Sequence, residues 1–140
     1  MGCKQNSANI STTLGLGSID SPYFVQVKIS QRLCTPACEN QVPIFSPTFS
    51  VVSFAEVGSG QYVATIKVEG IIYYNPCGGN TCVTRSQLLV QTFTIPFASA
   101  TAPTSVTIST GTTTNSLSVV ACQNSSRDFI SETPINLTVA

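Results

Sequence analysis

The sequence predicts an all-β protein, folded as a single antiparallel β-sandwich. Three observations carry this prediction. Apolar and polar residues alternate in runs rich in Val, Ile, Thr and aromatic side chains, turn signals separate these runs, and no window combines helical periodicity with helix caps. Short strands at regular spacing are typical of sandwiches with jelly-roll or immunoglobulin-like topology. Because immunoglobulin domains usually have a core Trp and this chain has none, the jelly-roll type is favoured.

The first 21 residues differ from the rest of the chain, because they are polar and contain few apolar positions. We therefore predict a flexible N-terminal connector arm over residues 1–21 and a sandwich domain over residues 22–140. The apolar residues of the arm, which we expect to take part in assembly, are Ile10, Leu14, Leu16 and Ile19.

The strand pattern begins at "YFVQVKIS", which puts one set of alternating apolar residues on a single face of the predicted strand. That face consists of Tyr23, Val25, Val27 and Ile29. "PTFSVVSFAEV" predicts the second strand. "QYVATIKVEGIIYY" predicts the third, with Tyr62, Ala64, Ile66 and Val68 on one face. Gly70 interrupts this third run, which predicts a β-bulge there.

Later strands follow the same pattern. "VTRSQLLVQTFTIPF" gives one face made of Leu89, Gln91, Phe93, Ile95 and Phe97. "TSVTIST", "NSLSVVAC" and "FISETPINLTVA" complete seven or eight strands. Proline cannot donate a ladder hydrogen bond, so Pro96 and Pro134 predict edge strands or bulges at their positions.

Composition restricts the function classes. Charged residues make up 9% of the 140-residue chain, against about 25% in an ordinary soluble domain, and the net charge is zero. No basic patch is available for nucleic acid, and no run approaches the roughly 20 apolar residues of a membrane span. A weakly charged surface rich in Ser, Thr, Asn and Gln favours association, so we expect a homo-oligomer, with no nucleic-acid partner and no membrane insertion.

Six cysteines indicate an oxidising environment, although the N-terminus lacks the apolar core of a secretory signal. "CTPAC" holds Cys34 and Cys38, and "NPCGGNTC" holds Cys77 and Cys82 at the tip of a predicted hairpin. Each close pair is a candidate intrachain disulfide, because cross-strand Cβ separations are near those of a disulfide. The alternative is a four-thiolate zinc site made by the two pairs, with permitted but loose spacing.

Cys3 and Cys122 remain if both close pairs form internal bonds. They can bond to each other within one chain or across a subunit boundary. Because Cys3 lies on the predicted arm, it is placed to reach another molecule, so both residues are candidates for intersubunit disulfides.

An enzyme is not expected. The chain has no histidine, the commonest general acid or base, and its carboxylates are scattered apart from Asp128 and Glu132. We predict no catalytic site, no metal and no cofactor. Tyr62, Tyr73 and Tyr74 form a candidate aromatic platform for a surface glycan, although tyrosines at strand ends more often pack into a core.

A family resemblance lies at residues 62–97. "VEGIIYY" followed by "TFTIPFAS", with Gly70, Tyr73, Tyr74, Pro96 and Phe97 at the matching positions, resembles the SPOCS-type domain of bacterial spore-coat and spore-morphogenesis proteins. The layout is also similar to that of bacterial endospore appendage subunits, in which a Cys-bearing connector precedes a small jelly-roll. This resemblance implies that Cys3 is a connector thiol and that the protein is oxidised on the spore surface.

Together these patterns predict a structural subunit of a self-assembling, disulfide-stabilised filament or surface layer. We expect it to be extracellular or on the surface of a cell or spore. Strand complementation by the arm and crosslinks between subunits would build the assembly. The alternatives are a phage virion protein, such as a capsid decoration or head fibre, and a glycan-binding adhesin module.

Overall fold

The computed structural model describes residues 8–14, 23–38, 41–76, 84–118 and 125–140. These residues form antiparallel strands and no helix. The strands are β1 (Asn9–Leu14), β2 (Tyr23–Cys38), β3 (Ile44–Phe45), β4 (Thr48–Gly58), β5 (Gln61–Tyr74), β6 (Arg85–Ala98), β7 (Val106–Thr110), β8 (Thr114–Leu117) and β9 (Ser125–Val139).

Sheet A contains β1, β2, β9, β7 and β8. Its order is β1-β2-β9-β7, and β8 also pairs with β9. β7 pairs with the second half of β9, from Ile135 to Val139, whereas β8 pairs with residues 129–132. β7 and β8 therefore lie end to end along one side of β9, and β1 and the β7/β8 row are the two edges of the sheet.

Sheet B contains β3, β4, β5 and β6. β3 and β4 lie along one side of β5 and β6 lies along the other. β4, β5 and β6 are consecutive antiparallel strands. The turn between β4 and β5 contains Gly60, whose φ of 70° is in the left-handed region that favours glycine.

The two sheets pack into an unclosed sandwich, which confirms the predicted fold class. The alternating faces predicted for β2 and β5 are buried, and so are most of the positions predicted for β6. Aromatic rings connect the sheets: Tyr23 contacts Phe97 with ring centroids 6.1 Å apart, and Phe45 meets Phe129 edge-on at 6.0 Å. Burial of these faces supplies the main favourable free energy of folding.

Pro96 lies in β6, which pairs only with β5 among the described residues, so the predicted edge position is confirmed there. The same prediction is wrong for Pro134, because β9 is a central strand between β2 and the β7/β8 row. Pro134 is accommodated in the gap between Thr110, where β7 ends, and Thr114, where β8 begins. Its carbonyl accepts a hydrogen bond of 2.7 Å from the Gly111 N–H in that gap.

The bulge predicted at Gly70 is also wrong. β5 pairs with β6 without interruption from Gln61 to Tyr74. Gly70 instead makes room for the Phe45 ring, because a Cβ added at this position would lie 2.6 Å from Phe45 Cε1. The bulges of sheet B are in β4, between Val51 and Ser53 and between Glu56 and Gly58.

Part of the predicted arm belongs to the sandwich. Asn9–Leu14 forms β1, which pairs with Val25–Ser30 of β2 in the same chain, and Ile10 packs against the core. Pairing satisfies backbone groups of the β2 edge that would otherwise need water. Leu16 and Ile19 lie outside the described residues.

Candidate functional site

The predicted disulfide residues are described only in part. Cys34 and Cys38 lie in the last five residues of β2, and both are disulfide-bonded. Cys3, Cys77, Cys82 and Cys122 lie outside the described residues. The pairing of the six cysteines therefore stays a prediction.

β2 is irregular where it carries its two cysteines. Arg32 pairs with Asp128 and Ala37 with Ser126, so four residues of β2 face a single residue of β9 between these pairs. Leu33 and Ala37 nevertheless point into the core and are buried. The bulged segment is therefore anchored at both ends, with Cys34 between the anchors and Cys38 just beyond them.

Side chains of sheet B hold this bulged segment in place. Gln87 of β6 accepts a hydrogen bond of 3.1 Å from the Cys34 N–H and donates one of 3.0 Å to the Arg32 carbonyl. The Thr35 N–H and hydroxyl both donate to the Tyr74 hydroxyl of β5, at 3.3 and 3.2 Å. Side chains of β5 and β6 thus form hydrogen bonds with the irregular backbone, in place of bonds that a neighbouring strand would supply.

At this end of the sandwich, the cysteine-bearing end of β2 pairs with two described residues that lie close to other cysteines in the sequence. Ala37 forms an isolated antiparallel bridge with Pro76, the residue before Cys77 in the sequence. Cys38 pairs with Ser125 at the start of β9, three residues after Cys122. We call this region, made of Cys34–Cys38, Pro76 and Ser125, the cystine end. Sequence spacing alone gave no sign that these stretches converge.

The zinc alternative requires four thiolates. Cys34 and Cys38 are in disulfides, and a disulfide sulfur is not a thiolate ligand. Within the described ranges, no three Cys, Asp or Glu residues lie close enough to hold a metal ion.

The described carboxylates are spread over the surface. Asp128 lies 3.7 Å from Arg32, in a pair that is more than half exposed and therefore adds little stability. Glu132 lies opposite Lys28 on β2. The Arg32–Asp128 and Lys28–Glu132 positions therefore pair opposite charges across the two strands, which favours the observed register. Glu56 accepts a hydrogen bond of 3.0 Å from Tyr62.

The three tyrosines proposed as a sugar platform do not share a surface. Tyr62 and Tyr74 are buried in the core, and only Tyr73 is exposed, at 46% of its area. Burial raises the pKa of the Tyr62 hydroxyl, and its hydrogen bond to Glu56 raises that pKa further. One exposed tyrosine is a poor stacking surface for a sugar chain.

The start of β1 is fastened to β6 by one glutamine. Gln91 donates a hydrogen bond of 2.6 Å from its side-chain nitrogen to the Ala8 carbonyl and accepts one of 2.8 Å from the Ala8 N–H. These two side-chain hydrogen bonds connect the start of β1 in sheet A to β6 in sheet B. We call the contact the Gln91 clamp.

The described side chains of β1 from Asn9 to Thr13 are weakly packed. Asn9, Ser11, Thr12 and Thr13 are exposed, and Ile10 is only partly buried. These five side chains add little apolar area that opposes the separation of β1 from β2, whereas ladder hydrogen bonds and the Gln91 clamp oppose it.

The two edges of sheet B differ in protection. β4 has two bulges, which discourage pairing with another strand. β6 has an unbroken 14-residue register with β5 and, among the described residues, no strand on its other side. Its only charged residue is Arg85 at the start and its only proline is Pro96 near the end. Among the described strands, β6 is thus the long, regular edge that has no strand beside it.

Comparison of the chain with protein-family models, with curated proteins and with solved structures finds no match. Within the part of the chain that the structure describes, no helix could cross a membrane.

Proposed function

We propose that this chain is a structural subunit of a self-assembling filament or layer on the outside of a cell or spore. Strand complementation and disulfides between subunits would hold the assembly together. The observation that carries the proposal is β1, a short edge strand whose described side chains are mostly exposed. β1 pairs with β2 through a ladder that a neighbouring copy can reproduce residue for residue.

The mechanism is an exchange of β1 between copies. The eight residues between Leu14 and Tyr23 can span about 25–30 Å when extended, which is enough for β1 to reach a neighbour. When β1 leaves its own sheet, the edge of β2 is open to the β1 of another copy. Each subunit then gives one strand and receives one. If the rotation between copies does not close a ring, this head-to-tail contact builds a fibre.

The direction of β1 supports a covalent link at the same junction. β1 runs antiparallel to β2, with Asn9 opposite Ser30, so its N-terminal end points along β2 towards Cys34 and Cys38. Cys3 lies six residues before Asn9, and that length of chain reaches about 20 Å. An exchanged β1 would therefore bring Cys3 to the cystine end of its neighbour, where Ser125 lies three residues after Cys122.

Two further properties favour assembly over a monomeric state. The open edge of β6 offers backbone hydrogen bonds for lateral pairing. Charged residues make up 9% of the chain and its net charge is zero, so electrostatic repulsion between copies is weak. The resemblance of its layout to endospore appendage subunits supports a place on the spore surface.

Non-reducing gel electrophoresis of the purified oxidised chain tests the covalent part of the proposal. We expect a ladder of bands at multiples of the 14.7 kDa chain mass, which collapses to one band on reduction. Cys3→Ser should remove the ladder, whereas Ser7→Ala, in the same N-terminal stretch, should leave it unchanged. A single monomer band from the oxidised wild-type chain would contradict intersubunit bonding, and a ladder that survives Cys3→Ser would exclude Cys3 as its source.

A further inference from the structure

The large exposed apolar side chains of β3, β5 and β6 lie towards the cystine end of sheet B, whereas those of β4, Val52 and Val57, lie apart from them. Towards the β4–β5 turn, the outward positions of β5 and β6 include Thr65, Lys67, Thr92 and Thr94. Towards the cystine end, five exposed positions are large and apolar instead. We call these five residues the apolar half-face: Ile44, Ile71, Tyr73, Leu88 and Val90.

The strand register makes these five side chains one continuous surface. Ile44 lies directly opposite Tyr73, and Ile71 lies directly opposite Leu88. Ile71 and Tyr73, like Leu88 and Val90, are two residues apart on one strand and so share a face. Their exposed fractions range from 40% for Ile71 to 67% for Ile44. Solvent-facing positions of a sandwich are normally polar, so this clustering needs an explanation.

The area of the apolar half-face matches what a stable dimer needs. A large side chain buries on the order of 150–200 Å² when fully covered, so five of them at about half exposure present on the order of 400 Å². In a standard interface each partner contributes about 800 Å², of which about 57% is apolar. The apolar half-face thus supplies nearly the whole apolar share of one partner.

Charge at the rim favours a second copy of the same chain as the occupant. Lys67 and Glu69 lie beside the apolar half-face on β5, with Lys67 Nζ 3.6 Å from a Glu69 carboxylate oxygen. This pair carries both signs and no net charge, and Arg85 at the start of β6 is the other charged residue of these two strands. A two-fold axis can set the Lys67–Glu69 pair against an identical pair without repulsion, whereas an anionic lipid surface would require an excess of basic residues.

We propose that two copies of this chain pack face to face through the apolar half-face. The contact is isologous, with Leu88 and Ile71 near the two-fold axis, and sheet stacks on sheet at about 10 Å as in a sandwich. It goes beyond the proposed filament, because it uses a sheet face and requires no exchange of β1. It can therefore join two filaments or hold a discrete dimer.

Photocrosslinking of the full-length oxidised chain tests this contact. The probe is placed by Leu88→p-benzoylphenylalanine in one sample and by Thr94→p-benzoylphenylalanine in the control. Both positions are exposed on the same face of β6, but only Leu88 belongs to the apolar half-face. After irradiation and reduction, we expect at least about tenfold more two-chain product from position 88. Peptide mapping should place that crosslink on residues 71–73 or 85–90 of the second chain.

Three results would overturn the proposal. They are equal yields at the two positions, no two-chain product at position 88, or a crosslink that maps to the same chain or to another surface. A second variant adds Leu88→Lys to Ile71→p-benzoylphenylalanine and should lower the two-chain product about tenfold or more, because it places two cations near the axis. Thr94→Lys on the same Ile71 background should leave the product unchanged. These yields do not depend on a disulfide ladder, so this contact and the filament can fail separately.

Discussion

Substitution of Gln91 by alanine should release β1 from β6. The substitution removes both hydrogen bonds of the Gln91 clamp, at 2.6 and 2.8 Å, and leaves the Ala8 N–H and carbonyl without these partners. Ala8 is only 4% exposed, so its backbone groups have little contact with water in the folded wild-type chain. A buried polar group without a partner costs about 1–3 kcal/mol. Because β1 is at an edge and can move outward, we expect a net cost of about 2 kcal/mol, or ~30-fold in the opening equilibrium of β1.

Native-state hydrogen exchange measures that opening. We expect the free energy of opening obtained from the β1 amides to fall by about 2 kcal/mol in Gln91→Ala. Gln87→Ala is the matched control, because Gln87 lies four residues earlier on the same face of β6 and binds β2 instead of Ala8. The control should lower global stability and the protection of the bulged segment of β2, while the opening of β1 from the rest of the fold stays unchanged.

Two results would refute this reasoning. The β1 amides of Gln91→Ala could keep their wild-type protection, which would mean that the ladder to β2 alone holds the strand. Alternatively, Gln91→Ala and Gln87→Ala could lower β1 protection equally, which would mean that β1 opens only when the whole sandwich unfolds. In that second case an exchange of β1 between folded copies would have no physical basis.

Three other predictions concern stability measured by urea denaturation. Phe129→Ala removes a fully buried ring packed edge-on against Phe45, and should cost about 3–5 kcal/mol; a loss below about 1 kcal/mol would contradict this packing. Gly70→Ala sets a Cβ 2.6 Å from the same Phe45 ring, and should cost about 1–3 kcal/mol; an unchanged midpoint would show that the ring moves freely. Burial and the hydrogen bond to Glu56 raise the pKa of Tyr62 above its ordinary value of 10.0. The folded state therefore binds this proton more tightly, so its stabilising contribution is present below pH 10 and is lost as the pH rises through the folded pKa. Tyr62→Phe should flatten that alkaline decline, and an equally steep decline in the variant would assign it to other groups.

The alternation of the sequence predicted the sandwich and most of its core. A strand repeats every two residues, so Val25 and Val27 of β2 or Ala64 and Ile66 of β5 could be assigned to one face without knowing their neighbours. All four are buried. Local periodicity is sufficient for this because the burial of one face requires only that an opposite sheet exists.

Features that depend on neighbouring strands could not be predicted in this way. Pro134 is in a central strand because β7 ends and β8 begins on either side of it, and no local signal reports that gap. Gly70 is a glycine because the Phe45 ring lies against it. Gln91 was assigned to the correct face of β6, but its bonds to Ala8 depend on the distance between the open edges of two sheets.

Electron microscopy of the purified, oxidised, full-length chain tests the central claim most directly. Repeated head-to-tail exchange of β1 predicts filaments or ordered layers of constant subunit spacing, and Gln91→Ala should form them faster because its β1 leaves the parent sheet more readily. A field of discrete single particles of about 15 kDa, at concentrations where the oxidised protein stays in solution, would contradict an assembly subunit.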